Sequence, residues 1–406
     1  MLFNAPPSAC DVLVVGAGPA GSACAQKLAE AGLDVVLVDQ QAFPRDKVCG
    51  DGLIPDAHAA LRRLAVYDEV MDQARHAAHV RCVAPRGGQV DVPGTLAVLP
   101  RKQLDHILCR AAQRAGAKLV APARFEALLL DGERVAGARL KLGDVQHELQ
   151  ARWVVLATGA VPQAAMAAGV NERRTPSGVA LRGYVKNDAM AASITQLQMV
   201  WHPKLSGGYG WIFPCRDGVF NIGAGLTGSH VKRRDGRNSM QDVNLRQMFD
   251  AFCEVYAPAR ELMAGGTLQG EIKGAPLRCS LLGAKWSRPG LLVTGEAAGS
   301  TYAFSGEGIG KAMETGMLAA EALRQGLASD STVRRHYDTA MQALKPKFDL
   351  YEKASHVNHR PWLADLVIWR ARKSPRILRR MSGVLEETQN PGRLLSWRGI
   401  TKLMLE

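Results

Sequence analysis

This 406-residue sequence has few of the features that mark a secreted protein, a protein stabilised by a structural metal, or a membrane-spanning protein. Its eight cysteines include no C-x-x-C pair and no dense cluster, which argues against a zinc ribbon or disulfide scaffold and for a reducing compartment. The first ten residues contain no basic or strongly apolar region, so we expect no signal peptide. The most apolar long window, 153–170, is interrupted by polar residues, proline and glycine, so we predict no membrane span. We therefore expect a cytoplasmic protein without a metal site.

Acidic residues are too few to balance the basic ones, and the formal net charge is +13. Residues 331–406 contribute +8 of this excess, from fifteen basic and seven acidic side chains. No zinc finger, recognition helix or aromatic-basic groove accompanies the charge, so we predict no nucleic-acid partner. A solvated basic face, a membrane-surface site and a site for an acidic partner remain open.

One segment carries a specific pattern. Residues 11–39 consist of an apolar run, Gly16-x-Gly18-x-x-Gly21, a helical pattern and a second apolar run that ends at Asp39. In such a unit the first glycine makes a tight turn, the second lets the backbone approach a pyrophosphate, and the third allows close packing of helix on sheet. An acid at the end of the second strand accepts hydrogen bonds from a ribose. This order predicts a dinucleotide site rather than a structural glycine turn.

A second match to the glycine pattern, Gly223-x-Gly225-x-x-Gly228, lacks this context. No apolar helical face follows it, and Arg246 stands where the acid would be expected. We interpret these glycines as strand-end and loop residues, so the sequence predicts a single dinucleotide site.

Further elements of a nucleotide-binding fold recur far along the chain. Residues 100–116 predict an amphipathic helix, and 153–160 and 290–299 read as buried strands that run into small-residue turns. A long small-residue helix follows the second of these strands. Such elements build a parallel sheet with helices on its faces, and the predicted fold class is therefore α/β, three-layered and Rossmann-like.

The pattern changes elsewhere along the chain. Residues 194–201 alternate apolar and polar side chains, as in a sheet with one solvent-facing side, and 208–225 predict a hairpin that turns at 216–218. From about residue 331 the pattern is helical, with Pro361, Pro375 and Pro391 between segments. We predict a discontinuous nucleotide-binding domain, an antiparallel substrate domain interleaved with it, and a helical basic C-terminal region. Their predicted extents are, in that order, 1–76 with 100–174 and 276–330; 77–99 with 175–275; and 331–406.

Five separated motifs together resemble the geranylgeranyl reductase family. This family belongs to a wider group of FAD-dependent enzymes that includes aromatic hydroxylases and flavin halogenases. The motifs are GAGPAG with Asp39, FPRDKVCGDGL at 43–53, Arg101 opening RKQLDHIL, GYGWIFP at 208–214 and GEAAG…SGEGI at 295–309. The resemblance spans residues 11 to about 325, and it implies that the nucleotide-binding domain holds FAD.

The resemblance also implies a role for individual residues. The implied FAD contacts are Gly16, Gly18 and Gly21 at the pyrophosphate turn, Asp39 at the adenosine ribose, Phe125 beside the adenine, Cys49, Gly50 and Gly52 on the flavin side, Arg101 at the start of its helix, Glu296 near the ribityl phosphate, and Gly308 and Ile309 at the isoalloxazine. Cys49 is the candidate for a chemical role, although a buried apolar role is its ordinary alternative. Trp211 and Phe213 either wall the substrate pocket or belong to the core.

Three departures limit what the resemblance implies. Glu296 stands where the family has Asp, which adds one methylene at a close contact. The segment 153–163 lacks the Asp-Gly signature of many NADPH-dependent hydroxylases, and 208–214 lacks the WxWxIP signature of flavin halogenases. These absences disfavour both aromatic hydroxylation and halogenation.

The expected activity is FAD-dependent reduction of a carbon–carbon double bond in a prenyl or related apolar substrate. Hydride would come from N5 of the reduced flavin, a nearby acid or water would supply the proton, and NAD(P)H or a reduced carrier protein would supply electrons. The first alternative is a flavin-dependent monooxygenase that tailors a natural product or a partner protein. The second is a non-catalytic flavoprotein that binds a partner through its basic tail.

The C-terminal region suggests a further partner. Trp362, Leu366 and Trp369 share one helical face, and the following residues 370–380 are rich in arginine and lysine. This combination is typical of an interfacial helix, so we expect a possible peripheral contact with the inner face of a membrane. Alternatively, the tryptophans belong to the core or cap the substrate pocket, and the basic residues are solvated or meet an acidic partner.

Overall fold

The computed structural model describes residues 7–172, 175–205, 207–228, 230–232, 238–240, 243–355 and 358–389. The strands in these ranges are β1 (Ala9–Val15), β2 (Val35–Val38), β3 (Gly52–Leu53), β4 (Arg75–Val83), β5 (Gln89–Val98), β6 (Lys118–Val120), β7 (Arg124–Asp131), β8 (Arg134–Leu142), β9 (Val145–Leu156), β10 (Gly178–Lys186), β11 (Leu197–Val200), β12 (Tyr209–Pro214), β13 (Val219–Leu226), β14 (His230–Lys232), β15 (Asn238–Met240), β16 (Thr267–Leu268), β17 (Lys273–Leu277), β18 (Ser287–Arg288) and β19 (Leu291–Val293). The helices are α1 (Pro19–Glu30), α2 (Pro55–Arg63), α3 (Tyr67–Met71), α4 (Arg101–Arg114), α5 (Gln163–Ala167), α6 (Leu245–Val255), α7 (Ala257–Gly265), α8 (Ile309–Gly326), α9 (Asp330–Ser355), α10 (Pro361–Ala371) and α11 (Pro375–Leu385).

The first sheet is built from the apolar runs of the sequence. Strands β6, β2, β1, β9 and β19 lie side by side in parallel, and β8 and β7 extend the sheet from β9 in antiparallel pairs. The inner residues of β1 and all of β2 are buried, as expected of parallel strands that are covered on both faces. Helix α1 packs on α4 and α8, and α8 packs on α9. The predicted α/β class is confirmed.

The second sheet is mostly antiparallel. Its described strands run in the order β16, β10, β13, β12, β11, β4, β5 and β3, with β17 also paired to β10, and β11 with β4 is the parallel pair among them. The hairpin predicted at 216–218 is present, because Asp217 and Gly218 have φ of 57° and 64° and join β12 to β13. Strand β3 comes from the first stretch assigned to the nucleotide-binding domain yet pairs with β5. The predicted domain boundaries stay a prediction.

Two details of the second sheet differ from the sequence-based interpretation. The prediction of a solvent-facing side at 194–201 is wrong, because Gln198 is buried and accepts a hydrogen bond from the hydroxyl of Tyr256, between α6 and α7, at 2.8 Å. The interpretation of Gly223 as a strand-end residue is also wrong, because it lies inside β13, whereas Gly225 is the next-to-last residue of that strand and Gly228 follows it. A Cβ atom on Gly223 would come within 2.2 Å of the Trp211 ring, so this glycine is required by close packing.

The C-terminal region is helical, and Pro361 and Pro375 each begin a helix, where a missing N–H costs nothing. Pro391 lies outside the described residues. Buried residues of α10 and α11, such as Ile368 and Ile377, belong to the same apolar cluster as Leu197 of the second sheet. Trp362 and Trp369 are about half exposed, so the alternative that they belong to the core is wrong.

None of the described helices combines the length and the apolar character that crossing a membrane would require.

Candidate functional site

A cavity of about 820 Å³ is lined by residues of both sheets, a size in the range of small-molecule sites, roughly 300–1,000 Å³. Thirteen of the fourteen predicted site residues line it: Gly16, Gly18, Asp39, Cys49, Gly50, Gly52, Arg101, Phe125, Trp211, Phe213, Glu296, Gly308 and Ile309. Gly21 does not line the cavity. The chain thus brings together residues separated by almost three hundred positions.

The glycine motif forms the turn between β1 and α1. Gly16 has φ of 105°, and a Cβ atom there would lie 2.3 Å from the carbonyl oxygen of Ala157 at the end of β9. A Cβ atom on Gly21 would lie 1.7 Å from the carbonyl oxygen of Gly16. Gly21 therefore lets α1 pack against its own turn, which corrects the implied direct contact with a pyrophosphate.

Gly18 differs from the other two glycines because its side-chain direction is open. A Cβ atom there would find its nearest neighbours at 3.7 Å, and both are guanidinium nitrogens, of Arg45 and Arg101. The N-terminal N–H groups of α1 have no partner within the helix and favour an anion. Backbone donors and two cations therefore surround a space that a pyrophosphate fits.

Asp39 and the two arginines belong to one buried ionic network. Asp39 accepts a hydrogen bond from the Ala17 N–H at 3.0 Å and forms an ion pair with Arg45 at 3.2 Å. Arg45 also pairs with the fully buried Asp105 at 2.9 Å, and Arg101 makes two hydrogen bonds to Asp105, at 2.6 and 2.8 Å. Arg101 thus pairs with a neighbouring carboxylate and also lines the cavity.

Arg45 is a site residue that sequence reasoning missed. It lies in the quoted motif FPRDKVCGDGL, where a basic residue next to a predicted phosphate site was the available signal. It could not be assigned because its partners, Asp39 and Asp105, come from different elements.

Cys49 and Asp51 lie at the junction of the two sheets. The Asp51 N–H donates to Cys49 Sγ at 3.4 Å, and the side chain of Asn221 in β13 donates to the Cys49 carbonyl at 2.8 Å. Burial raises the pKa of the Cys49 thiol, although the nearby charge of Arg101 opposes this shift. The thiol is therefore protonated at neutral pH.

Asp51 is a second residue that sequence reasoning missed. Its carboxylate is fully buried and accepts hydrogen bonds from the Tyr184 hydroxyl at 2.5 Å, from the Asn221 amide at 2.7 Å and from the Arg101 N–H at 3.3 Å. Burial raises the pKa of Asp51 to about 6, against the opposing effects of the Tyr184 and Asn221 hydrogen bonds and the Arg182 charge. The group thus titrates close to neutral pH, which is a property of functional carboxyl groups.

The first turn of α8 also contributes to the lining of the cavity. Gly308 caps this 18-residue helix and Ile309 is its first residue. The N-terminal N–H groups, at the positive end of the helix dipole, therefore lie beside the cavity. Glu296 accepts from the Arg278 N–H at 3.4 Å and from the Thr301 hydroxyl at 3.3 Å. Glu307, next in the chain to Gly308, also lines the cavity, and burial raises its pKa to about 8.

The second sheet supplies an apolar wall. Trp211 and Phe213 lie next to each other in β12, and the Trp211 indole N–H donates to the Asn221 side chain at 2.8 Å. Phe213 approaches Gly50 so closely that a Cβ atom there would lie 3.3 Å from its ring. Further apolar residues of the second sheet that line the cavity are Val80, Leu96, Leu197 and Met199, and Leu385 at the end of α11 lies beside them. Trp211 is mostly buried and also lines the cavity, and its contact with a substrate stays a prediction.

Comparison with known proteins agrees with this geometry. Residues 9–251 match the family described as FAD binding domain. A menaquinone reductase of Mycolicibacterium smegmatis is 34% identical over 340 residues, covering 79% of this chain and 78% of the relative. Digeranylgeranylglycerophospholipid reductase 1 of Methanopyrus kandleri is 27% identical over 345 residues, covering 84% and 88%. The chain belongs to the geranylgeranyl reductase family of FAD-dependent oxidoreductases.

A solved structure supports the same fold. The geranylgeranyl bacteriochlorophyll reductase-like protein of Thermoplasma acidophilum superposes with a TM-score of 0.72 at 22% identity, covering 98% of this chain and 96% of that one. The family match identifies FAD as the cofactor of this chain. The glycine turn, the two arginines and the first turn of α8 are the groups that would hold it.

Replacing Gly18 or Gly21 by alanine should separate cofactor binding from folding. Gly18 has φ of −76°, and a Cβ atom there would make only ordinary contacts, so Gly18→Ala should fold normally. It should bind FAD roughly 10- to 100-fold more weakly, because the methyl group would occupy space next to the pyrophosphate. Gly21→Ala should fail to fold or lose much of its thermal stability. Flavin absorbance after desalting and melting temperature check both outcomes. A Gly18→Ala protein with full FAD content would refute this position of the phosphates.

The raised pKa of Asp51 predicts a specific pH dependence of stability. Between its ordinary pKa of 3.8 and about 6, the native carboxyl binds a proton that the unfolded chain releases. Its contribution to stability is therefore complete below the ordinary pKa and is lost as the pH rises through 6, a change of about 3 kcal/mol. Asp51→Asn keeps the size and suits the left-handed backbone at φ 64° but cannot titrate.

Relative to the wild type, Asp51→Asn should therefore gain stability as the pH rises from about 4 to about 7. Thermal unfolding of both proteins across this range measures the difference. Parallel pH profiles for the two proteins would mean that Asp51 has an ordinary pKa.

Proposed function

We propose that this protein uses FAD to reduce a carbon–carbon double bond in the prenyl chain of a lipid or quinone. The observation that carries the proposal is the continuity of one cavity, in which the glycine cradle and the apolar wall of Leu197, Trp211 and Phe213 share a single space. Menaquinone and digeranylgeranyl lipids, which appear in the names of the two relatives, both carry long prenyl chains. A prenyl chain is poorly soluble in water, and an extended apolar wall would remove its surface from water.

FAD held by these residues would, once reduced, supply a hydride from N5. Uptake of a hydride by a double bond must be balanced by one proton, and the protonated thiol of Cys49 holds a proton at Sγ on the cavity surface. Arg101 lowers the pKa of this thiol and would stabilise the thiolate that remains. Asp51, with a pKa of about 6, lies two residues away and can return a proton to this region.

We propose that the electrons come from an external donor, either NAD(P)H or a reduced carrier protein. The sequence contains one dinucleotide motif in its full context, and FAD accounts for it. The donor therefore approaches the flavin without a second glycine-motif site of its own.

Anaerobic flavin reoxidation tests this function directly. Protein reduced with dithionite should be reoxidised by a geranylgeranyl lipid, with the loss of one double bond per flavin. The saturated phytanyl analogue is the matched control and should leave the flavin reduced. Reoxidation only when oxygen is admitted, with oxygen uptake that depends on an added substrate, would instead identify a monooxygenase.

Arg101→Ala and Cys49→Ala should affect different steps. Arg101→Ala removes a charged hydrogen-bond donor, worth about 1.5–3 kcal/mol, and should weaken flavin retention roughly 10- to 100-fold. Cys49→Ala removes only a small thiol and should retain FAD while losing most of its turnover per bound flavin. Flavin content after desalting and single-turnover rates measure the two effects. Unchanged turnover in Cys49→Ala would exclude the thiol as the proton source.

A further inference from the structure

The outer faces of α10 and α11 carry an unusual combination of exposed side chains. Trp362 and Trp369 of α10 are 51% and 46% exposed, and Leu366 between them is half-buried. These three residues are spaced four and three positions apart along two helical turns, so their apolar surfaces lie in a row on one face of the helix. Two tryptophans in such a row are uncommon on a surface that meets only water.

Basic side chains surround this row. The ammonium group of Lys373 lies 4.7 Å from the centre of the Trp369 ring, and the guanidinium of Arg370 lies 5.4 Å from it. Arg86, at the β4–β5 turn, joins the same surface because its N–H is bound by Asp365 of α10 at 3.0 Å. Besides Arg86, the exposed basic residues of α11 and of the segment between α10 and α11 are Arg372, Lys373, Arg376 and Arg379. We call this set, with Trp362, Leu366 and Trp369, the tail surface.

The inner faces of the same helices reach the cavity. Ile368 and Ile377 pack in one apolar cluster with Leu96 and Trp211, which line the cavity, and Leu385 at the end of α11 lines the cavity itself. Helices α10 and α11 therefore separate the apolar cavity from the tail surface. One side of this helix pair meets the proposed substrate space, and the other side presents tryptophan and positive charge.

We propose that the tail surface docks on a membrane that contains anionic phospholipid. Tryptophan prefers the boundary between headgroups and acyl chains, and arginine and lysine are attracted to anionic headgroups from the same plane. An acidic protein partner would meet the positive charge but would not require two tryptophan rings that project between the basic groups. Docking needs no turnover, so this inference can hold or fail independently of the proposed function.

Vesicle co-sedimentation of the FAD-loaded protein tests the proposal. The protein should sediment with phosphatidylglycerol vesicles at low salt, remain in solution with phosphatidylcholine vesicles, and be released at high salt. Reversing three charges of the tail surface, in Arg372→Glu/Lys373→Glu/Arg379→Glu, should weaken binding on the order of 100-fold. Trp362→Ser/Trp369→Ser should weaken it at least about tenfold, because two buried rings are lost from the interface.

The matched control reverses the same number of charges on other surfaces. Arg63, Arg110 and Arg335 are exposed on α2, α4 and α9, and their change to Glu alters the net charge equally. This variant should keep most of the vesicle binding. FAD content and melting temperature show whether each variant is folded. An equal loss of vesicle binding in both triple variants would mean that binding depends only on the net charge of the protein, and it would overturn the proposal. No sedimentation of the wild type with phosphatidylglycerol would also overturn it and leave the tail surface to an acidic protein.

Discussion

The site depends on the close approach of backbone to backbone around the start of α1. Gly16 lies against the Ala157 carbonyl, Gly21 against the Gly16 carbonyl, and Gly316 of α8 lies so near α1 that a Cβ atom would be 2.2 Å from the Ala20 carbonyl oxygen. A single methyl group at any of these places would push the elements apart. Because they do meet, the positive ends of α1 and α8 converge on the same cavity, where the phosphates and the flavin ring of FAD need them.

Buried charges then fix what the backbone has brought together. Asp105 joins Arg45 to Arg101 beneath the phosphate space, and Asp51 joins the second sheet to the flavin side. At the other end, Lys311 of α8 pairs with Glu387, which follows α11, at 3.1 Å and faces Asp56 of α2 at 3.7 Å. Removal of one partner from such a buried set leaves an uncompensated charge, so each set constrains the cavity more firmly than surface pairs would.

Local patterns accounted for what could be predicted from sequence. The order of β1, α1, β2 and Asp39, the helix α4 and the turn at 216–218 each depend on residues close together in the chain. The remaining features depend on distant partners. The Asp51 carboxylate is hydrogen-bonded by Tyr184 and Asn221, which lie 133 and 170 positions away, and the buried Gln198 is hydrogen-bonded by Tyr256. Gly223 matched a binding motif, yet its lack of a side chain serves the Trp211 ring. No periodicity within one segment encodes such contacts.

Two surfaces from different parts of the fold line the cavity. The cradle for the cofactor is made of backbone turns and helix ends next to the first sheet. The apolar wall is made of side chains from the second sheet, chiefly Leu197, Trp211 and Phe213. Backbone contacts tolerate little change, but side chains on a strand can be exchanged one at a time without moving the turn below. Substitutions in the apolar wall can therefore change the shape of the cavity while the backbone cradle keeps its geometry.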